Sequence, residues 1–263
     1  MILDWAADEG WNPGLDDAEV FYAADPDGFF VAVDETGTPV AAISVVNHSA
    51  EFAFLGLYLV RPTHRARGIG FSLWKYATEH AKTRTIGLDG VEAQQANYQA
   101  SGFVHFGGTT RFTGKVAGQR APEIRPMRQD EVPAAITLEA EASGVRKPAY
   151  LQGWFSGTAT RITIVFETHG HVRGLCTVRD CRFGPKIGPL IAEDTNVARR
   201  LLAHAATYFE NSITLDVPGT STELTRLCRQ LGLEAGFKTA RMYRGTAVTT
   251  THPNYAVASL ELG

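Results

Sequence analysis

Cysteine is scarce in this chain. The three residues, Cys176, Cys181 and Cys228, are odd in number and confined to the second half. That excludes a disulfide framework, and nothing around them has metal-ligand spacing, so a reduced, cytoplasmic protein without a metal site is expected. Long apolar runs are missing as well: none reaches the roughly 18 residues a membrane helix needs, so no membrane partner is expected. The first residues, Met1-Ile2-Leu3-Asp4, carry no basic region or long apolar core, so no signal peptide is expected. Basic charge is not in excess. Lys and Arg number 25 against 28 Asp and Glu, a net charge of −3, which points away from a nucleic-acid partner.

What the chain does have is enough apolar sequence to build a core. Its 263 residues are 44% hydrophobic, the composition of an ordinary globular protein long enough for two domains. The stretch from Glu51 to Ala81 organises the rest. Phe52 to Val60 is the apolar and aromatic run of a strand buried on both faces. Arg61 to Gly70 is a basic turn containing glycine, and Phe71 to Ala81 shows helical spacing. A strand feeding a helix through such a turn makes an anion site, because the first helical N–H groups lack intrahelical acceptors and the helix dipole adds positive charge there. Gly68 and Gly70 leave room for a bulky anion to approach the backbone, and Arg65 and Arg67 add full charge. The expected ligand is a phosphate or pyrophosphate.

Around this unit the first half reads as helices at Leu3 to Glu9 and Leu15 to Ala24, then strands at Phe29 to Val33 and Pro39 to Val46. After the strand–turn–helix come a strand at Thr85 to Leu88 and a helix at Glu92 to Ala100. Closing strands follow at Phe103 to Phe106 and Thr110 to Phe112. The order, together with Arg65-x-x-Gly68-x-Gly70, resembles the GNAT N-acetyltransferases with their first strand absent, truncated or supplied by another segment. The resemblance covers nearly all of Met1 to Gly114.

The second half repeats the order: a short strand at Glu123 to Arg125, a helix at Gln129 to Ala142 and a hairpin around His169-Gly170. Then come a strand and helix at Ile187 to Ala192 and Val197 to Glu210, a strand at Ile213 to Val217 and a helix at Ser221 to Gln230. The expectation is an α/β (α+β) protein of two tandem GNAT-like domains, each a mixed twisted sheet flanked by helices. Residues 1–118 would hold the acetyl-CoA site, residues 119–245 a degenerate copy, and residues 246–263 a tail that adds a strand to an exposed sheet edge. The second copy's turn, Ala192 to Val197, has no glycine or arginine and carries two acids, with Asp194 or Thr195 as a helix N-cap. Cys228 stands where the first copy has Tyr98, as a buried thiol or, less simply, a nucleophile. The second half then completes the fold, shapes the acceptor pocket, or both.

The resemblance implies acyl transfer from acetyl-CoA to a primary amine of a small molecule or peptide, by direct attack and without a metal. Backbone amides of Ala66, Arg67, Gly68, Ile69, Gly70 and Phe71 would hold the diphosphate, with Arg65 adding its charge. The strand end Tyr58, Leu59 and Val60 would pair with the pantetheine amides, beside a bulge marked by Gly56. Tyr98, four residues before Gly102-Phe103, would be the general acid for the leaving thiolate. Where the family often has an asparagine, this chain has Val91, with Asp89 or Asn97 as replacements. The base is left open among His48, Glu51, Tyr58 and a water chain. Trp11 and Asn12 lie in a loop that would cover the acceptor, or else fill a core edge. A monomer and a homodimer are both compatible with the sequence. An acyl-CoA sensor that has lost turnover is the alternative function.

Overall fold

The run from Phe52 to Val60 is a strand, and the sheet is built outward from it on both sides. The computed structural model describes residues 1–248 and 252–263. The first half contains α1 (Ile2–Asp8), α2 (Asp17–Ala24), β1 (Phe29–Val33), β2 (Pro39–Asn47), β3 (Phe52–Val60), α3 (Ile69–Thr78), β4 (Thr85–Gly90), α4 (Gln95–Ala100) and β5 (Val104–Lys115). The second contains β6 (Ile124–Pro126), α5 (Val132–Ser143), α6 (Pro148–Phe155), β7 (Arg161–Thr168), β8 (His171–Cys181), β9 (Gly184–Ala192), α7 (Thr195–Ala206), β10 (Ser212–Pro218), α8 (Thr222–Gln230), β11 (Glu234–Arg244) and β12 (Tyr255–Ala256).

The architecture is mixed α/β, with two copies of one unit, and the sheets of the copies are continuous. Among the described residues the strand order is β1-β2-β3-β4-β11-β5-β10-β9-β8-β7-β6, with β12 against β9. Only β3–β4 and β9–β10 are parallel; the remaining pairs are antiparallel. The copies exchange their last strands. β11 pairs with β4, β5 pairs with β10, and the two exchanged strands pair with each other. The strand just before residue 245 therefore lies inside the first half's sheet.

β5 is one strand where two were expected. Gly107 and Gly108 read as punctuation, yet they pair with Arg241 and Ala240 across the ladder to β11, which holds the backbone extended through them. Helix α6 was not anticipated. Tyr150, Leu151, Trp154 and Phe155 are buried, and the opposite face is Pro148, Ala149, Gln152 and Gly153, so a single polar residue marks the helical period. Its Trp154 stacks on Phe21 of α2 at 6.3 Å, joining the halves. Beneath that pair Asp17 is buried and binds both Arg161 and Arg179, whose guanidiniums lie 4.8 and 4.6 Å over the Trp154 ring.

The tail takes a different course from the expected sheet edge. Tyr255 and Ala256 pair with Ile191 and Leu190 of β9, and the Val257 N–H donates to Asp216 O of β10 at 3.0 Å. The chain then runs between the halves, where Leu262 is fully buried. Polar anchors make that burial tolerable. Leu262 O accepts from His48 Nε2 at 2.8 Å and Gly263 O accepts from Lys147 Nζ. Lys147 is paired with Glu139 at 2.8 Å, and Glu139 also accepts from the Tyr255 hydroxyl at 3.0 Å. The exposed edge beside β1, where the first strand of the family is absent, has no further strand among the described residues.

Candidate active site

Strands β3 and β4 start side by side and then part. They pair from Phe52↔Thr85 to Leu55↔Leu88, and no pair follows. The cause lies on the other side of β3. Between Ala42↔Leu59 and Ser44↔Gly56, β2 supplies one residue and β3 supplies two, Leu57 and Tyr58. Leu57 takes up the extra length at φ +48°, and the bulge turns the strand end away from β4. Gly56 adjoins the bulge for another reason than the one expected. A Cβ there would sit 2.0 Å from Glu261 O, so the glycine admits the tail.

A cleft of about 520 Å³ runs along the freed strand end, lined by residues 58–60 and 65–71 together with Trp11 and Asn97. The turn leading into α3 is built for close approach. Ala66 and Gly68 both take the left-handed conformation, and Gly68 caps α3 without any side-chain hydrogen bond. A Cβ on Gly68 would meet nothing within 4 Å, so its bare face looks into open space beside the uncapped helix start. The two glycines divide the work. Gly70 faces the strand, where a Cβ would lie 2.6 Å from the Tyr58 hydroxyl and 2.8 Å from Val60 Cγ2. The arginines divide it too. Arg65 pairs with Glu9 and donates to Val60 O at 2.9 Å, bracing the turn, while Arg67 stands exposed on the cleft.

Tyr98 lies at the root of the wedge. Its ring stacks on Trp74 at 5.3 Å, and the bare Gly90 backbone presses its other flank. Burial, and then the neighbouring Tyr58 hydroxyl, push its pKa above the usual tyrosine value, so the phenol stays protonated at neutral pH. The ring borders a second pocket of about 70 Å³ that shares Trp11, Tyr58, Val91 and Gln94 with the cleft. This inner pocket is made by both halves. Arg111 comes from β5, Phe237 from β11, and Leu260 and Glu261 from the tail. Arg111 is clamped by Asp216 at 2.8 and 2.9 Å and lies 5.2 Å over the Phe237 ring. Of the two replacements for the asparagine, Asp89 is bound to Arg241 at 2.6 Å, and Asn97 lines the cleft with its amide on Gln94 Oε1 at 2.8 Å.

Three residues singled out from the sequence lie elsewhere. His48 is walled in between Phe52 and Tyr150, with Nε2 spent on the tail, and burial followed by the Lys147 ammonium lowers its pKa to about 3. Glu51 sits exposed in the β2–β3 hairpin, accepting from the Ser49 hydroxyl at 2.9 Å, roughly 20 Å along β3 from Tyr58. Asn12 is buried and uses both ends of its amide on the Phe183 backbone at 3.0 Å, so it ties α1's loop to the second half instead of facing the pocket. Trp11 does face it, and its carbonyl accepts from Lys186 Nζ at 2.7 Å. Glu261 was not anticipated. The one signal was a carboxylate set between Leu260 and Leu262 in an apolar run.

The second copy has the same bulge and a filled wedge. β9 carries the extra residues, Gly188 and Pro189, between Cys176↔Leu190 and Val178↔Ile187. Its only pair with β10 is Ile187↔Leu215, and the tail lies in the gap beyond. Gly188 is held side-chain-free by Val257 O, as Gly56 is by Glu261 O. At the helix start Asp194 caps α7, accepting from Val197 N at 2.8 Å, so an incoming anion would meet a carboxylate. Cys228 is buried, its thiol pushed up to about 12. Among the described residues no cluster could hold a metal ion and no helix is long and apolar enough to cross a membrane.

Residues 1–107 match the acetyltransferase (GNAT) family, and residues 135–255 match an acetyltransferase (GNAT) domain. A holothin acyltransferase of Pseudoalteromonas sp. (strain SANK 73390) is 35% identical across 100% of this chain and 90% of its own length. Among solved structures, a putative acetyltransferase from Pyrococcus horikoshii has a TM-score of 0.79 at 20% identity, covering 94% of this chain and 84% of its own. A tandem GNAT protein from the clavulanic acid biosynthesis pathway has a TM-score of 0.62 at 16% identity, covering 94% of both chains. The two structures share the fold.

Proposed function

The chain belongs to the GNAT acetyltransferase family and is an acyltransferase, and from that premise we propose that it transfers an acetyl group from acetyl-CoA to a primary amine of a small molecule by direct attack. The observation that carries this reading is the open wedge between β3 and β4, with the bare helix start at its mouth and Tyr98 at its root. The uncapped turn from Ala66 to Phe71 suits a diphosphate, since its donors are backbone N–H groups and Arg67 adds a full charge. The strand end from Tyr58 to Val60 has an edge free for an extended ligand to join. Tyr98, kept protonated by burial, suits proton donation to a departing thiolate. With the second wedge filled by the tail, one such site per chain is proposed.

Calorimetry with coenzyme A tests the cofactor half. Gly68→Asp puts a carboxylate at the helix start and on a left-handed residue, and is expected to abolish binding; retained affinity would overturn the turn as the phosphate site. Release of thiol from acetyl-CoA over a panel of amines tests the acceptor half. Holothin, which the 35%-identical relative is named for acylating, belongs in that panel. Thiol release independent of any amine would overturn direct transfer to an amine.

A further inference from the structure

We propose that Glu261, carried in by the tail, is the general base of the transfer and the residue that selects a compact, apolar primary amine. This rests on the amine-acceptor reading above. Glu261 is 3% exposed and lines the inner pocket with Tyr98, and its Oε2 is buried without a hydrogen-bond partner. Among the described residues it makes no ion pair, whereas the nearby Asp216 and Asp17 each bind arginine. A buried carboxylate oxygen with no donor is expensive unless a ligand supplies one. An ammonium entering the pocket is that donor. Arg111, Lys186 and Arg179 lie close enough to interact with Glu261 at longer range, while each is bonded elsewhere: Arg111 to Asp216, Lys186 to the Trp11 carbonyl and Arg179 to Asp17.

The pocket also states what the rest of the acceptor is. Its volume of about 70 Å³ is walled by Trp11, Leu57, Leu88 and Phe237. A cavity of ~150 Å³ holds a benzene, so this one takes a short branched chain or the edge of a ring. A polyamine would bring further cations against Arg111 with no second free carboxylate to meet them, because Asp89 is already paired.

In the step, the bound ammonium gives one proton to Glu261. The freed lone pair adds to the thioester carbon, forming the C–N bond. The C–S bond then breaks, and the sulfur leaves with its electron pair and takes the Tyr98 proton. The nitrogen's second proton restores Tyr98, and Glu261 releases its proton to solvent. One ammonium and one thioester thus give one amide, one thiol and one proton.

Isobutylamine, benzylamine and spermidine with acetyl-CoA test the proposal in the full chain. Wild type is expected to prefer the first two. Glu261→Gln is expected to lower their kcat/KM about 100-fold at pH 7, with coenzyme A affinity unchanged. The defect should shrink about tenfold per pH unit towards the amine's own pKa, as solvent takes over deprotonation. Glu261→Asp should recover part of the rate. A purely structural role would give a deficit equal at pH 7 and pH 9, or a matching loss of coenzyme A affinity, and either overturns the assignment. Full activity of Glu261→Gln overturns it while leaving the amine reading intact. Wild type that acylates no amine removes both.

Discussion

Gly56 is where the tail and the central strand meet, and one methyl group should separate them. In Gly56→Ala the new Cβ would lie 2.0 Å from Glu261 O and 3.0 Å from Glu261 C. Carbon and oxygen tolerate about 3.3 Å at closest, so more than an ångström must open. β3 is laddered to β2 on one side and to β4 just before this point, so the tail is the element that yields. Its movement would strain the Leu262 O bond to His48 and the Gly263 O bond to Lys147, each leaving a buried polar group short of a partner. Overpacking and lost hydrogen bonds together imply destabilisation of about 2–4 kcal/mol, read as a fall in denaturation midpoint at constant m. Acceptor kcat/KM should fall with it, because Leu260 and Glu261 leave the inner pocket. Coenzyme A affinity should hold, because no tail residue is among those lining the cleft of residues 65–71. Gly236→Ala is the control: a Cβ there meets nothing within 4 Å, and a change within about 0.5 kcal/mol is expected. A Gly56→Ala protein with unaltered midpoint and unaltered kcat/KM would refute this packing. Parallel loss of coenzyme A affinity would instead locate the damage in β3.

Tyr98→Phe keeps the ring against Trp74 and removes only the hydroxyl, so kcat should fall about 100-fold or more with coenzyme A affinity nearly unchanged; titration calorimetry beside steady-state rates reads both. His48 is held neutral in the fold, with its pKa lowered to about 3 against 6.5 in the free residue. Below pH 6.5 the unfolded chain takes up a proton the fold refuses, so stability is complete above that value and is lost as pH falls towards 3. By pH 5 the loss is about 2 kcal/mol. His48→Gln should therefore lose about 2 kcal/mol less than wild type between pH 7 and pH 5 in urea unfolding, while its pH–rate profile stays that of wild type.

The parts of the fold legible in the sequence are those written locally. The strand from Phe52 to Val60 is a continuous apolar run, the turn after it is punctuated by glycine, and the helix beyond has its period, so all three lie within a few residues of their expected places. The repeat was legible for the same reason, element by element. Three things were not. The exchange of β5 and β11 depends on pairs such as Thr109↔Thr239, far apart in sequence, and nothing in either strand names its partner. The environment of His48 depends on the tail and on α6, so a histidine that stood among the candidate bases is a buried hydrogen-bond donor to the tail. The inner pocket draws Trp11, Tyr98, Arg111, Phe237 and Glu261 from widely spaced segments, and the last three of these did not stand out in the sequence.

The duplication explains why one chain carries one open wedge. Both copies have the bulge that splays their central strands, at Leu57-Tyr58 and at Gly188-Pro189, so both have a gap of the same kind. In the second copy Tyr255 and Ala256 occupy that gap as a strand, satisfying backbone groups that a bound ligand would otherwise meet. The same segment then continues across the exchanged strands and ends against Gly56 of the first copy, which places Glu261 at the inner pocket. Filling one wedge and furnishing the other are thus a single structural event. The two requirements constrain each other: residues 254–257 must keep their register on β9 for Glu261, four residues past Val257, to arrive beside Tyr98. On the proposed reading, the second half would serve catalysis through that tail and through Arg111's partner Asp216.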